Sequence, residues 1–549
     1  MKTAKQLIVL SSAIILPSVA MGQAAVDLYN LSRPDLRGTA RFMSMAGAFT
    51  ALGGDMSTLN QNPAGIGIYR SSEVGLTLNL DIQSASTQAQ GSKATNDQTK
   101  FSFNNFGYVG TTPIDNYTGS TFSWGVTYSR LASFDRMYSG SFGSLNGSSL
   151  SNFIAANTNR EGSISPSSML YGDNYNPYTD GSAPWLSILA FQGYVINDNL
   201  VNGKTNYSGL MGSGTSGAAG YQVRERGYVD EYSINFGGNL YNTVYWGVGI
   251  GISDVNYTQE SFYEEDLDNA YIAAQSTSNT DNYDIVPGRG DYRLNNYLNS
   301  NGNGFNLKFG LIFKPINEFR LGIAVHTPTW YNMTDTYWGG IGYDYTPTDQ
   351  ASYKSMSDFV DTNDGYDSWY DYKMRTPWRL MVGAAGVIGG QGIVSVDYEY
   401  RGNNTMQVSD YDGAVYEDVT SDVKTYYKGT NILRLGAEYR VTPNFSLRAG
   451  YSYESSPVKQ EAADNDVEIW TAGTIPSYTF DKTTQYITCG IGYRYQGFYT
   501  DLAYVHKQRE STYHAYSPLY ENGALLQDSP SAKLTSTNNQ IVLSVGYKF

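Results

Sequence analysis

Few groups in this chain could do acid–base, nucleophilic or metal chemistry. His326, His506 and His514 are its only histidines and Cys489 its only cysteine. No His-x-x-x-His or Cys-x-x-Cys spacing occurs that would hold a metal. A wall-embedded hydrolase would need a histidine beside a serine, with a third polar group to orient it. His326 shares a strand face with Arg320 and Gly322, and nothing near it marks a nucleophile. The acidic run Glu264-Glu265-Asp266 with Asp268 offers oxygen ligands, but it lacks the spacing of a calcium loop and reads as a solvated surface. No enzyme, metal or cofactor is indicated.

Other charges are spaced two apart, so they fall on one face of a strand. Asp397, Glu399 and Arg401 form one such series, and Arg434, Glu438 and Arg440 another, with Arg448 following. Such a face has two readings. It can be a self-neutralising polar lining, or Arg434 or Arg448 can hold the carboxylate of a ligand.

The elements that carry these residues follow from composition and periodicity. The chain has 49 Tyr and 58 Gly in 549 residues, and only 16% charged residues. That suits many half-buried strands joined by turns. Lys2 and Lys5, the apolar run Leu7 to Val19, and small residues at Ala20 and Gly22 read as an export signal over 1–22. A short membrane anchor is the alternative reading. Removing the signal takes the formal charge from −15 to about −17, which argues against nucleic acid as a partner.

Alternation with apolar residues on one face predicts strands at 72–85, 100–113, 120–131, 228–241, 243–258, 303–315, 318–330, 375–389, 391–405, 428–441, 444–456, 483–496, 498–510 and 538–549. In the first, Val74, Leu76, Leu78, Leu80 and Ile82 alternate with Glu73, Gly75, Thr77, Asn79 and Asp81. The gaps alternate too. Short ones fall at Asn242-Thr243, Ile316-Asn317, Gly390, Thr442-Pro443 and Gly497. Long ones cover 132–227, 259–302, 331–374, 406–427, 457–482 and 511–537. Outer-membrane barrels have short periplasmic turns and long outer loops. The expected fold is therefore all-β: a fourteen-stranded antiparallel transmembrane barrel over 72–549. The last strand ends on Phe549, behind Leu543, Val545 and Tyr547, in the manner of a signal to the barrel assembly machinery.

Residues 23–71 precede the first strand and read differently. Phe42, Met45, Ala46, Phe49 and Leu52 recur at helical spacing, Gly53-Gly54 ends that run, and Asn62-Pro63-Ala64-Gly65 reads as a turn. Small and apolar residues favour a hatch packed inside the barrel over a periplasmic appendage. The stretch Arg41 to Asp55 (RFMSMAGAFTALGGD), followed by Asn60 to Gly65 (NQNPAG), resembles the hatch signature of the FadL/TodX family. Lys314-Pro315 through Pro328, and Leu433 to Tyr439 through Leu447 to Tyr451, are also similar to that family. The resemblance implies a fourteen-stranded, monomeric outer-membrane barrel with an N-terminal hatch. It also implies passive uptake of hydrophobic molecules, long-chain fatty acids or similar, released sideways into the bilayer. Expected partners are a hydrophobic ligand and outer-membrane lipids. An attachment or shuttle barrel of type IX secretion, and a substrate-specific porin, are the alternatives.

Two further features carry expectations. The segment from Pro184 to Ile196 is apolar for a loop. Trp185, Leu186, Leu189 and Phe191 in it either form a greasy way in for ligand or cap the barrel. In the second strand the apolar phase slips at Asn104-Asn105: Phe101 and Phe103 share one parity, Phe106 and Tyr108 the other. A bulge there would keep both halves facing lipid and would mark a lateral opening. The alternative is a Phe pair turned into the lumen.

Overall fold

The computed structural model describes residues 24–115, 119–162, 164–201, 204–279 and 283–549. The expected export signal lies outside the described residues.

Among the described residues twenty strands form one antiparallel sheet, three of them short additions at the outer end; the seventeen that build the cylinder are β1 (Glu73–Ala89), β2 (Ser92–Asp115), β3 (Ser120–Ser133), β4 (Arg136–Phe142), β5 (Ser216–Leu240), β6 (Val244–Ser276), β7 (Tyr283–Ile316), β8 (Phe319–His326), β9 (Trp330–Pro347), β10 (Ser368–Arg375), β11 (Arg379–Ile388), β12 (Gly392–Arg401), β13 (Thr430–Arg440), β14 (Phe445–Glu454), β15 (Tyr478–Tyr495), β16 (Phe498–His514) and β17 (Ser531–Lys548). Three pairs, β3/β4, β8/β9 and β10/β11, are single staves broken in the middle, so the wall has fourteen staves. The ladder closes where Glu73 pairs with Lys548 and continues to Gln88 opposite Lys533. Closure joins the first stave to the last, so neither presents an edge to lipid, where an unpaired amide would find no water.

Alternation decides which face meets lipid. Phe305, Phe309, Leu311, Phe313 and Ile316 of β7 are exposed, and so are Ile234 and Phe236 of β5 and Leu433 and Leu435 of β13. The residues between them face inward. Phe305 to Ile316 spans about 37 Å at 3.4 Å per residue. With the usual tilt that becomes roughly 28 Å, close to the apolar band of an outer-membrane barrel. Tight turns close one end of the cylinder. Tyr241 and Asn242 both take positive φ between β5 and β6 (56° and 54°), as do Gly389 and Gly390 between β11 and β12 (58° and 70°). This is the backbone of two-residue hairpins whose twist matches the strands.

The other end differs from expectation. The stretches 259–302 and 331–374, predicted as loops, run largely as strand, and β6 and β7 stay paired from Val244–Phe313 to Gln275–Tyr283. The reason is an inversion of the amphipathic pattern. Within the belt, β6 points Val248, Ile250 and Ile252 outward and Gly249, Gly251 and Ser253 inward. Above it, Glu264, Asp266 and Asp268 point outward, while Val255, Tyr257, Tyr263 and Leu267 are buried inside. A search for apolar residues on the outer face misses strands that have left the bilayer.

Residues 24–71 lie within the cylinder. They form the helix Ala25–Ser32, the short helix Ala40–Ser44 and two 3-10 turns, Met56–Asn60 and Pro63–Ile68. The helical spacing over Phe42 to Leu52 is realised only as far as Ser44. Ala46 and Gly47 turn to positive φ (52° and 73°), and the chain folds back. Phe42, Met45, Phe49 and Leu52 nevertheless converge on one cluster with Tyr486, Val505 and Val542 of the wall.

Glycines on the inner wall make room for this segment. A Cβ on Gly247 would strike the carbonyl of Pro63. One on Gly322 would strike Thr50, and one on Gly450 would meet Met45 and Ala46 at 2.5–2.6 Å. Gly450→Val is therefore expected to expel residues 40–50 from their seat. Gly386→Val, whose Cβ meets nothing closer than 3.9 Å, should be neutral. Limited proteolysis checks this: cleavage within 40–70 should appear only in Gly450→Val, with heat-modifiable gel mobility of the barrel retained in both.

Candidate functional site: the hatch, the wall break and the outer cap

The inserted segment is tied to the wall by polar contacts on many sides. Arg37 pairs with Asp81 of β1 at 2.9 Å and donates to Asn104 Oδ1 of β2 at 3.0 Å. Arg41 pairs with Glu438 of β13 at 2.9 Å. The Thr50 amide donates to Asp397 of β12 at 2.7 Å, and the Ala40 amide to Ser544 of β17 at 2.7 Å. Arg320 of β8 donates to the Leu52 carbonyl at 2.8 Å, and His326 Nε2 meets the Gln61 carbonyl at 2.9 Å. Above these, Arg33 pairs with Asp481, and Asp35 with Lys507 and Arg509. Arg33, Asp35, Arg37 and Arg41 each have a partner of opposite sign, the condition for burial at tolerable cost.

The two motif halves bond to each other. Asn62 Oδ1 accepts from the Ala64 amide at 3.1 Å, and its Nδ2 donates to the Thr50 carbonyl at 2.6 Å. The Gly54 amide donates to the Gly65 carbonyl at 3.1 Å. Asp55 accepts from the Thr39 hydroxyl at 2.7 Å and the Ser57 amide at 2.9 Å. Asn62, Pro63, Ala64 and Gly65 are buried against β5, β6 and β7, where Asn62 Nδ2 reaches the Leu311 carbonyl at 3.5 Å. Gly53 and Gly54, at φ 62° and 67°, take a conformation that side chains resist.

Arg434 and Arg448 sit in charge networks. Glu399 receives Arg434 at 2.6 Å, Arg379 at 2.8 Å and Arg401 at 3.4 Å. Arg448 lies between Glu438 at 2.7 Å and Asp501 at 2.6 Å. A ligand carboxylate at either arginine would have to displace an internal one, so the geometry favours the lining role.

The wall itself breaks on one side. Thr77 pairs with Asn105 and Leu78 with Phe103, which leaves Asn104 as a bulge. Phe101, Phe103 and Phe106 are consequently all exposed on the outer face, at 58%, 53% and 54%. Asn104 turns inward onto Arg37. Ladder pairing between β2 and β3 begins at Asn105–Ser129, and from Ser92 to Asn104 β2 is paired on its β1 side only. Opposite it stands β4, paired on its β5 side only. Side chains bridge the two edges: Lys100 to Asp135 at 2.7 Å, Asn96 Nδ2 to Ser139 Oγ at 3.0 Å, and Gln90 to the Ser144 backbone at 2.7 and 3.0 Å. Behind the break lies a small cavity of about 50 Å³. Its lining includes Asn96 and Gln98 of β2, Phe134 to Met137, and Arg33 and Asp35 of the inserted segment.

The outer end of the lumen is closed by an apolar core. The helix Trp185–Gln192 contributes Trp185, Ile188 and Leu189, all buried, with Leu186 and Phe191 packed at its margin. Trp185 lies 5.3 Å from the Tyr178 ring and 5.6 Å from that of Tyr337. These residues pack into the apolar core at the outer end of the lumen. The helix Glu417–Tyr426 packs against the helix Ala25–Ser32, and Tyr427 at its end stacks on Tyr29 of the inserted segment at 4.9 Å. His514 stacks on Tyr478 at 4.8 Å in the same core, and His506 Nδ1 meets Asn539 Oδ1 at 2.8 Å on the outer face. Among the described residues no three His, Cys, Asp or Glu side chains converge as a metal would require.

Sequence reasoning missed Arg33, Asp35 and Arg37, which anchor the segment. The available signal was three charges within five residues of an otherwise apolar stretch. Their partners Asp81, Asp481, Lys507 and Arg509 lie on strands distant in sequence.

No protein-family model matches the chain, and no curated protein matches it. Among solved structures, a Pseudomonas aeruginosa FadL homologue superposes with a TM-score of 0.50 at 12% identity, over 94% of this chain and 99% of that one. The P. putida toluene transporter TodX aligns at TM-score 0.43 and 13% identity, over 94% and 99% of the two chains. The Ralstonia pickettii toluene transporter TbuX aligns at 0.44 and 14%, over 95% and 100%. The likeness to the FadL homologue is one of fold, over 94% of this chain.

One pH effect follows from the cap. Burial, reinforced by Asp418 one turn away, pushes the Asp422 carboxyl up to about 7. Ionising it opposes the packed state. Its contribution to holding the helix is complete below the ordinary carboxylate value near 4 and is lost as pH rises through about 7. Hydrogen exchange of 417–426, corrected for intrinsic rates, should be slower at pH 5.5 than at pH 8. In Asp422→Asn the difference should vanish.

Proposed function

We propose that this protein is a passive outer-membrane channel for hydrophobic molecules, working as a monomer without cofactor or energy source. Ligand is gathered at the aromatic outer end of the lumen, passes beside the inserted segment, and leaves sideways through the wall between β2 and β4. The observation that carries this reading is the interrupted ladder above Asn104, backed by a cavity that reaches the inserted segment. Most of the wall is sealed by backbone ladders. Here a few polar side-chain contacts stand in for a whole ladder, and exposed contacts of that kind are weak.

The physical case for a lateral route rests on the ligand. Each buried CH₂ gains roughly 0.8 kcal/mol on leaving water, so a long acyl chain would give up on the order of 10 kcal/mol by crossing a water-filled pore. A side exit delivers it to acyl chains directly. The inserted segment blocks the straight aqueous path. The cavity, at about 50 Å³, has room for only a water or two, so passage requires the β1–β2 hairpin and residues 30–35 to part. Its polar lining suits the head of an amphiphile such as a long-chain fatty acid, while the aromatic core above suits the tail. Phe549, closing β17, fits recognition by the barrel assembly machinery.

Asn96→Cys and Ser139→Cys replace side chains that touch at 3.0 Å. In a Cys489→Ser background, oxidising this pair should lower uptake of labelled oleate into cells at least tenfold, and reduction should restore it. Equal uptake in both states would sink the lateral route.

A further inference from the structure

The lipid-facing wall carries a second feature that the uptake route does not use. At the outer limit of the apolar belt lies a groove of about 680 Å³ across β6, β7, β9, β10 and the short strand Gln407–Asp410. Its floor is apolar. Ile252 is 54% exposed, and the rings of Phe305 and Trp330 lie 5.1 Å apart. Its upper rim is polar and basic. Asn303 and Asn332 stand on one side, Gln407 and Ser409 on the other, with Lys373 and Arg375 between.

Lys373 and Arg375 are two apart on β10 and share its outer face. Arg375 pairs across the ladder with Trp330 and Gln407, which sets it level with the apolar floor, and Lys373 pairs with Asn332 and Ser409, one row further out. Among the described residues neither lies within ion-pair distance of a carboxylate, in contrast to the lumenal Arg37, Arg41, Arg434 and Arg448. Lys373 Nζ lies 5.4 Å over the Tyr411 ring. Arg375 donates one Nη to the Thr405 carbonyl at 3.4 Å, and its Nε is buried without a partner. The other Nη of Arg375 and the Lys373 ammonium are the donors set to meet a phosphate.

We propose that this groove binds a phosphorylated glycolipid of the outer leaflet. The phosphate meets Arg375 and Lys373. Sugar hydroxyls meet the amides of Asn303, Asn332 and Gln407, which both donate and accept. The acyl chains run down over Trp330, Phe305 and Ile252. Charge complementarity and level select this occupant. The chain is strongly acidic, with a formal charge of −15, yet two uncompensated cations stand where acyl chains give way to headgroups, on the side of the barrel away from the short turns. A cation on a lipid face is tolerated at this depth, and an anionic headgroup turns tolerance into attraction. The amide rim favours a sugar-bearing lipid over a glycerophospholipid.

The test uses full-length protein purified in detergent, stripped of lipid, and examined by native mass spectrometry with diphosphoryl lipid A, phosphatidylglycerol or a phosphate-free galactosyl diglyceride. A one-to-one complex with lipid A is expected, surviving a tenfold excess of either other lipid. K373Q/R375Q should weaken it at least tenfold, R375K should fall between, and K93Q, at an exposed site elsewhere, should match the wild type. Heat-modifiable gel mobility reports whether each variant is folded; should the double variant fail there, R375K and the competition decide. Undiminished lipid A binding by a folded K373Q/R375Q, wild-type binding by R375K, or equal displacement by phosphatidylglycerol would overturn the proposal.

Discussion

A backbone amide facing hydrocarbon has no partner except the next strand, and this protein is organised around that constraint. It explains the closure of β1 onto β17 and the alternation that puts Phe309, Leu311 and Phe313 in lipid. It also gives meaning to the stretch of β2 where ladder pairing with the next stave stops. Between β2 and β4 no backbone ladder forms, and side chains of Lys100, Asp135, Asn96 and Ser139 make the contacts instead. An interruption of this kind is costly in a lipid-facing wall, so its presence beside the lumen is the strongest structural sign of a route through it.

The same constraint shapes the interior. A barrel of fourteen staves is too wide for its own side chains to fill, and residues 24–71 occupy the space. Their seat is built by subtraction: Gly247, Gly322 and Gly450 leave gaps into which backbone fits. It is held by paired charges rather than by apolar contact alone. Arg37 belongs to both the seat and the break, since it bonds Asp81 and the inward side of the bulged Asn104. The seat of the inserted segment and the bulge in the wall thus share one guanidinium.

Above the bilayer the molecule behaves as an ordinary protein. The strands continue, but their apolar side turns inward, and a core of buried tyrosines, with the helices Trp185–Gln192 and Glu417–Tyr426, closes the outer end. The transition occurs within β6 near residue 253, with no break in the strand. Lys373 and Arg375 lie at the same level on the outside, where the chemistry of the surroundings changes over a few ångströms.

Local sequence determined the wall. The fourteen predicted strands each coincide with a stave, because the two-residue period and the tight turns depend only on neighbours in the chain and on which solvent each face meets. The slip at Asn104-Asn105 was legible for the same reason: a parity change in an apolar series requires a bulge. The upper strands were not legible as strands, since their amphipathic sense depends on being outside the membrane, which periodicity does not encode. Nor did sequence decide what each lumenal charge meets. Arg434 and Arg448 looked available until the register brought Glu399, Glu438 and Asp501 beside them, and Arg33, Asp35 and Arg37 drew no notice until closure placed Asp481, Lys507 and Asp81 against them. Ion pairs between residues hundreds of positions apart follow from register and closure, properties of the assembled barrel that no single segment carries.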